Sequence, residues 1–385
     1  MTKGDNSHTV DRRKFITRIS GGAIGAGLTA SLVGSNAPAV DADVKIEHRN
    51  RQPGMAYTVL GRTSLSVSCL AFGGGSLNAD SVPAFDLAVE RGLNLIHMSR
   101  GYMKGQAIET LGSWLKKPGN RDKLFIMLGT PKDLDADLKS LNTDHVDILT
   151  VSKQNPDEVK VEQIKQSFDA AKSAGKARFL GLITHQNPIP CTQAALDCGY
   201  YDFVVATVGL TNLEPFRPVL DAAREKKISV MSMKCLQNSK GKGTPEEIVK
   251  GLLAGGVVSI LKGLKTKEEA DQYIAAVTAK AKTADFHRAV KLGREIAAAG
   301  GLCNLCGECI GCPQGVDIQS ALRNYQYYYE QMGDVEAAVE RYGEMRVGET
   351  ALACGDCGRC EAVCPMRVPV RRIIREAHHR LSSVS

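Results

Sequence analysis

The chain has 385 residues, 43% hydrophobic and 24% charged, an ordinary globular composition long enough for one large core and a smaller unit. Its formal charge is +7, of which a net +3 lies in the first 39 residues. That balance carries no nucleic-acid signal, so no nucleic acid is expected among its partners. Of 12 cysteines, eight fall in two tight runs near the C-terminus. The others (Cys69, Cys191, Cys198, Cys235) are scattered and read as buried small hydrophobes.

At the N-terminus, Asp11-Arg12-Arg13-Lys14-Phe15-Ile16 resembles a twin-arginine export motif. The mildly apolar stretch from Gly21 to Gly34 is too short and too glycine-rich to anchor in a bilayer. Ala37-Pro38-Ala39 is a small-x-small cleavage site, with Val40-Asp41-Ala42 as a second option. Residues 1–42 are therefore expected to be a signal peptide, the mature protein periplasmic, and no membrane span permanent.

From Tyr57 the chain alternates. Tyr57 to Val67 reads as a hairpin around Gly61-Arg62-Thr63-Ser64. Eight short apolar runs read as buried strands: Cys69–Phe72, Asn94–His97, Lys123–Leu128, Val146–Val151, Arg178–Leu182, Phe203–Ala206, Ser229–Met233 and Val257–Leu261. Helical periodicity lies between them, at Val82–Arg91, Gln106–Leu115, Val161–Ala174, Pro218–Lys226 and Pro245–Ala254. The fold class expected is α/β, a closed parallel (β/α)8 barrel over about residues 55–280. A doubly wound open sheet is the alternative, but no G-x-G-x-x-G opens a helix; Gly73-Gly74-Gly75 lacks that spacing.

Tyr57-x-x-Leu60-Gly61-Arg62-Thr63, with Leu65-x-Val67-Ser68-x-Leu70-x-Phe72-Gly73-Gly74-Gly75, resembles the opening of the aldo/keto reductases. Gly92-Leu93-Asn94-Leu95-Ile96, Gly101-Tyr102, Thr143-Asp144-x-Val146-Asp147 and Met233-Lys234 extend the likeness to about Ala279. The resemblance implies NADPH-linked carbonyl reduction, with a Tyr acid supported by Asp, Lys and His. Here only Tyr102 is kept. His97 stands at the Asp position, Gly129 at the Lys position and Ser152 at the His position. Lys132 or Lys153 would have to supply an amine from a neighbouring loop. Ile183 falls in Gly181-Leu182-Ile183-Thr184-His185, where the family uses a hydroxyl on the nicotinamide. Lys265 and Lys267 match the region that holds the cofactor's phosphates, and also read as a solvated pair before a helix. Binding of NADP(H) is accordingly doubtful. At the barrel mouth, the candidate catalytic residues are His97, Tyr102 and Lys234. His185, after the fifth strand, reads as a loop histidine.

Beyond Glu268 the pattern is helical, at Ala270–Lys282, Phe286–Ala299, Ile318–Gly333, Val335–Tyr342 and Val370–Leu381. Tyr325, Tyr327, Tyr328 and Tyr329 crowd the third of these, either packing it or shielding a cofactor from water. The basic residues Arg371, Arg372, Arg375, His378, His379 and Arg380 read as a solvated helix face, able to guide an acidic redox partner.

The cysteine runs read Cys303-x-x-Cys306-x-x-Cys309-x-x-Cys312-Pro313 and Cys354-x-x-Cys357-x-x-Cys360-x-x-x-Cys364-Pro365. The second matches the bacterial ferredoxin pattern and the first differs by one spacer residue. Two-cluster ferredoxins imply crossed ligation: Cys303, Cys306 and Cys309 with Cys364, and Cys354, Cys357 and Cys360 with Cys312. Two [4Fe–4S] clusters are expected, in a helical domain at 281–385. Paired four-cysteine zinc sites are the alternative, though they seldom need four cysteines in one ten-residue loop. Cys303–Ile318 also resembles the iron–sulfur branch of the aldo/keto reductases. Twin-arginine export carries folded proteins, which suits clusters inserted beforehand. Two functions follow as expectations. One is an exported oxidoreductase passing electrons between its clusters and a small organic substrate in the barrel, served by a redox partner or electron carrier. The other is a catalytically inactive barrel that acts as an electron-transfer or binding subunit.

Overall fold

The computed structural model describes residues 45–129, 131–237, 239 and 241–382. The leader motif and its cleavage sites lie outside the described residues. Eleven strands are described: β1 (Glu47–His48), β2 (Tyr57–Val59), β3 (Leu65–Ser68), β4 (Leu70–Gly73), β5 (Leu95–Met98), β6 (Phe125–Gly129), β7 (Ile148–Ser152), β8 (Phe179–Thr184), β9 (Phe203–Thr207), β10 (Ser229–Met233) and β11 (Ile260–Lys262). Strands β4 to β11 close a parallel barrel in chain order, with β11 pairing back on β4 through Ile260↔Leu70 and Leu261↔Ala71. The expected (β/α)8 barrel is therefore present. Its strands are mostly apolar because each is covered on both faces, by the barrel interior and by the helical ring.

Beneath the barrel, β2 and β3 form the expected hairpin, in the register Tyr57↔Ser68, Thr58↔Val67 and Val59↔Ser66. Leu60, Leu65 and Val67 are fully buried in one cluster with Phe125, Met127, Phe203, Val205 and Met231 of the barrel interior. The hairpin thus stoppers the N-terminal end, and only the opposite end is left for a site. Strand β1, which has no clear sequence pattern, adds to β3 in parallel.

The helices are α1 (Val82–Glu90), α2 (Gln106–Leu115), α3 (Leu134–Leu141), α4 (Pro156–Val159), α5 (Glu162–Ser173), α6 (Pro188–Cys198), α7 (Leu213–Glu225), α8 (Pro245–Ala254), α9 (Lys267–Thr278) and α10 (Thr283–Ala299). Several start at side-chain caps: Asp133 accepts from the Ala136 N–H, and Thr244 forms a reciprocal capping box with Glu247. Helix α7 begins five residues before Pro218. That proline is exposed and lacks the N–H that would bond back to the Glu214 carbonyl. Helix α10 packs into the barrel's core through Ala289 and Ile296, with Ala289 against Gly251 of α8. A separate core begins at Val316.

That second core is built from α11 (Ile318–Leu322), a π-helical segment (Arg323–Gln331), α12 (Val335–Gly343), α13 (Arg359–Ala362) and α14 (Val370–Ser382). The single helix expected over Ile318–Gly333 widens after Leu322, and the Met332 N–H reaches back five residues to the Tyr327 carbonyl. Tyr325 stacks on Tyr329 at 5.4 Å between ring centres. The basic face of α14 is ion-paired rather than simply solvated: Arg371 with Glu361 and Asp356, Arg375 with Asp356, and Arg372 with Glu376. Among the described residues, no helix is long and apolar enough to cross a membrane.

Candidate functional site

The two cysteine loops repeat one backbone design. In each, the residue two after the first cysteine and the one after the second are left-handed: Leu305 (φ 57) and Gly307 (φ 97), then Asp356 (φ 60) and Gly358 (φ 73). These reversals coil each loop around a hollow. The Leu305 N–H donates to Cys303 Sγ at 3.3 Å and the Val368 N–H to Cys364 Sγ at 3.4 Å.

Two cavities result. One is lined by Cys303, Cys306, Cys309 and Cys364; the other by Cys354, Cys357, Cys360 and Cys312, with Cys309 on the wall between. The two sets coincide with the crossed grouping that the resemblance to two-cluster ferredoxins implies. Among the described residues no three His, Cys, Asp or Glu side chains converge on a single-ion site. Thiols spread around a hollow fit a cube of iron and sulfide; a lone zinc draws its four sulfurs to about 2.3 Å. Burial pushes the Cys303 and Cys309 thiols up, and the neighbouring thiols push in the same direction. Bound iron would supply the positive charge that holds them as thiolates.

The first loop is fixed to the barrel. The Asn187 N–H, at the start of α6, donates to the Leu305 carbonyl at 3.0 Å. A Cβ on Gly307 would lie 2.2 Å from Asn187 Oδ1, so only glycine permits this approach. The Cys303 N–H donates to Gln326 Oε1 at 2.9 Å, and Gln326 belongs to the π-helical segment. The next residue, Tyr327, covers Lys234 at the end of β10, with Nζ 4.0 Å from its ring centre. One short stretch of chain therefore touches both the thiol loop and the barrel mouth. Cys357, in the second loop, is exposed.

Within the mouth, His97 at the end of β5 is buried at 4% exposure. Its Nδ1 lies 3.0 Å from the Tyr102 hydroxyl and its Nε2 3.3 Å from Thr150 Oγ1. Thr150 donates to the Leu128 carbonyl, so the pattern assigns the ring proton to Nε2 and leaves Nδ1 to accept the phenol's O–H. Burial holds His97 down at about 4, which makes it neutral in the neutral range. Burial, reinforced by Tyr328, pushes the Tyr102 phenol up to about 12; Arg341 and Arg323 act in the opposite sense. Sequence reasoning had left this phenol without a cationic neighbour. Its cations come from the C-terminal unit, more than two hundred positions away, which no local pattern announces.

Lys234 is held with φ 55, a left-handed conformation uncommon outside glycine. Burial and the nearby Arg323 and Arg341 lower its ammonium well below the usual lysine range. His185 also reaches the mouth: its Nδ1 is buried without a hydrogen-bond partner among the described residues, and Arg323, Lys234 and His97 act on it. Lys153 lies 3.8 Å from Glu158 and Lys132 is exposed. Gly129 ends β6, Ser152 is exposed, and Ile183 is buried in the barrel interior. Lys265 and Lys267 are both exposed, flanking the Thr266 cap of α9.

Comparison with known proteins matches this geometry. Residues 70–248 match the model of the aldo/keto reductase family, and residues 302–369 that of the 4Fe-4S dicluster domain. This chain carries an aldo/keto reductase domain followed by a 4Fe-4S dicluster domain. The aldo-keto reductase YhdN of Bacillus subtilis (strain 168) is 25% identical over 155 residues, which are 33% of this chain and 46% of that relative. The chain thus aligns with less than half the length of that curated relative. Among solved structures, the barrel resembles the holo form of aldo-keto reductase AKR11C1 from Bacillus halodurans, at 17% identity and a TM-score of 0.52, covering 63% of this chain and 96% of that one. It also resembles an aldo-keto reductase from Klebsiella pneumoniae in complex with NADPH, at 17% identity and a TM-score of 0.50, covering 62% and 95%. At these identities the likeness is one of fold. The two domains bring iron–sulfur ligation and an aldo/keto reductase barrel into one polypeptide.

Proposed function

We propose that this protein is an iron–sulfur oxidoreductase that acts on a small organic substrate at the barrel mouth. Two [4Fe–4S] clusters, held by Cys303, Cys306, Cys309 and Cys364 and by Cys354, Cys357, Cys360 and Cys312, supply or accept its electrons one at a time. The observation that carries this reading is the Gln326–Tyr327 pair. Gln326 holds the Cys303 backbone and Tyr327 lies on Lys234, so one stretch of chain links the first thiol loop to the face where barrel enzymes work.

Within that mouth Tyr102 holds a proton beside the substrate, and neutral His97 orients the phenol through Nδ1. The nicotinamide route is poorly served, because Gly129, Ser152 and Ile183 stand at the positions where the family places its amine, imidazole and carboxamide contact. Lys265 and Lys267 remain candidates for phosphate contact only. The exposed Cys357 loop is where a redox partner or electron carrier would meet the chain. We further propose export by the twin-arginine route, supported by Arg12-Arg13 and by a cofactor that suits insertion before translocation.

A second reading keeps the barrel as a catalytically inactive scaffold within a redox complex. The tyrosines laid over Lys234 favour it, since they narrow access to the mouth. The test is anaerobic turnover with reduced methyl viologen across a panel of small carbonyl and enone compounds. Turnover is expected, with a drop of about a hundredfold or more in Tyr102→Phe and no NADPH oxidation. Turnover indifferent to Tyr102→Phe and His97→Ala, or none at all, supports the scaffold. Robust NADPH-linked reduction overturns both.

A further inference from the structure

Three basic side chains gather around one aromatic ring where the C-terminal unit meets the barrel. Around the Tyr328 ring centre lie Lys234 Nζ at 5.3 Å, the Arg323 guanidinium at 5.4 Å and that of Arg341 at 4.8 Å. Lys234 Nζ and Arg323 Nε are buried and have no hydrogen-bond partner among the described residues. The charges that act on Lys234 are those two arginines, and the groups facing it are Tyr327, Tyr328 and His185. Among the described residues, the charges acting on Lys234 include no anion.

Grouping like charges in a partly dry site is unfavourable, and unpaired buried donors add to the cost. The backbone holds the arrangement nevertheless. Lys234 is turned left-handed, and Arg323 and Tyr328 ride on a π-helical segment, the rare form that recurs at functional sites. Guanidinium forks match the paired oxygens of carboxylates and phosphates, and an ammonium adds a point charge. The cluster also adjoins the reactive pair, because Arg341 and Arg323 both act on the Tyr102 phenol.

We propose that Lys234, Arg323 and Arg341 form an oxyanion receiver, and that the substrate of the barrel mouth carries a carboxylate or phosphate group bound there. Describing the occupant as substrate rests on the oxidoreductase reading; the receiver itself does not. Its distinguishing property is proton uptake. Burial and the neighbouring arginines weaken the hold of Lys234 on its proton, and an arriving anion strengthens it, so binding is expected with net proton uptake from solvent.

The test is isothermal titration of the anaerobic, cluster-loaded full chain with succinate, with inorganic phosphate and with neutral succinamide. It is run at constant ionic strength in two buffers of different ionisation heat. At least one anion is expected to bind saturably with net proton uptake, and succinamide not at all. Binding of succinate alone assigns a carboxylate, and of phosphate alone a phosphate ester. Lys234→Met and Arg323→Met should each weaken binding about tenfold or more, with cluster absorbance confirming that they fold. Lys234→Arg should recover affinity but lose the proton uptake, since arginine stays charged. Equal binding of succinamide, undiminished binding in both Met variants, or no binding of either anion overturns the proposal. None of these readouts uses turnover. Anion binding without dye-linked activity therefore faults the oxidoreductase reading alone, and turnover without anion binding faults the receiver alone.

Discussion

His97 shows how one substitution resets a site. A carboxylate at this position would be an anion; the imidazole is neutral, buried and bonded on both ring nitrogens, to Tyr102 and Thr150. Its folded pKa is about 4, below the ordinary 6.5. The unfolded chain therefore binds the extra proton first as pH falls. The group's contribution is fully present above 6.5 and is lost on acidification from there through about 4, an effect of order 3 kcal/mol. Denaturant titrations of wild type and His97→Asn across pH 7.5 to 4.5 should show the steeper acid loss in the wild type. Parallel curves would place His97 in solvent. That His97 and Lys234 deserved attention was readable from their positions at strand ends, and Tyr102 from the Gly101-Tyr102 motif. Their setting was not, because Thr150, Arg323 and Arg341 come from distant parts of the chain.

At the scale of elements, the paired cysteine loops were the most legible feature, since a ligand every third residue followed by proline admits few folds. Crossed ligation makes a definite prediction. Cys312→Ser, although it lies in the first run, should disturb the cluster of Cys354, Cys357 and Cys360 and leave about four irons in the other. Iron analysis with EPR of the reduced protein reads this directly, and loss confined to the Cys303 cluster would refute the crossing. The alternating strands were legible too, through their apolar runs. The π-helical widening was not: Ile318 to Gly333 has ordinary helical spacing, and the change in pitch coincides with tyrosine stacking and a contact to Lys234 from a distant strand end. A strand-end residue on the opposite face tells the same story. Asp147, fully buried at the N-terminal edge of β7, accepts from Arg49, Arg121, Arg178 and the Ile126 N–H. Burial alone would push its carboxyl up, but Arg121, Arg49, the Ile126 N–H and Arg178 together hold it below the usual range. Asp147→Asn leaves three guanidinium groups without their shared anion and should cost about 3 kcal/mol or more in unfolding free energy, with iron content unchanged. A loss of under about 1 kcal/mol would show the network to be solvent-screened.

For the whole molecule, the two cores respond differently to loss of metal. The C-terminal core packs directly against Cys303, Cys309, Cys312, Cys354, Cys360 and Cys364, whereas the barrel's core includes none of the eight loop cysteines. Anaerobic chelation should therefore melt the helical unit first and leave the barrel's circular dichroism largely intact, so that one thermal transition becomes two; a single unchanged transition would contradict this. The contact between Asn187 and Leu305 then acquires a temporal meaning. The N–H that opens helix α6 finds its acceptor at Leu305, inside the first cysteine loop. Were that loop to take its shape only around a bound cluster, the helix start would stay open in the wall of the barrel until then. Asn187 would thus record, from within the barrel, whether the loop had closed.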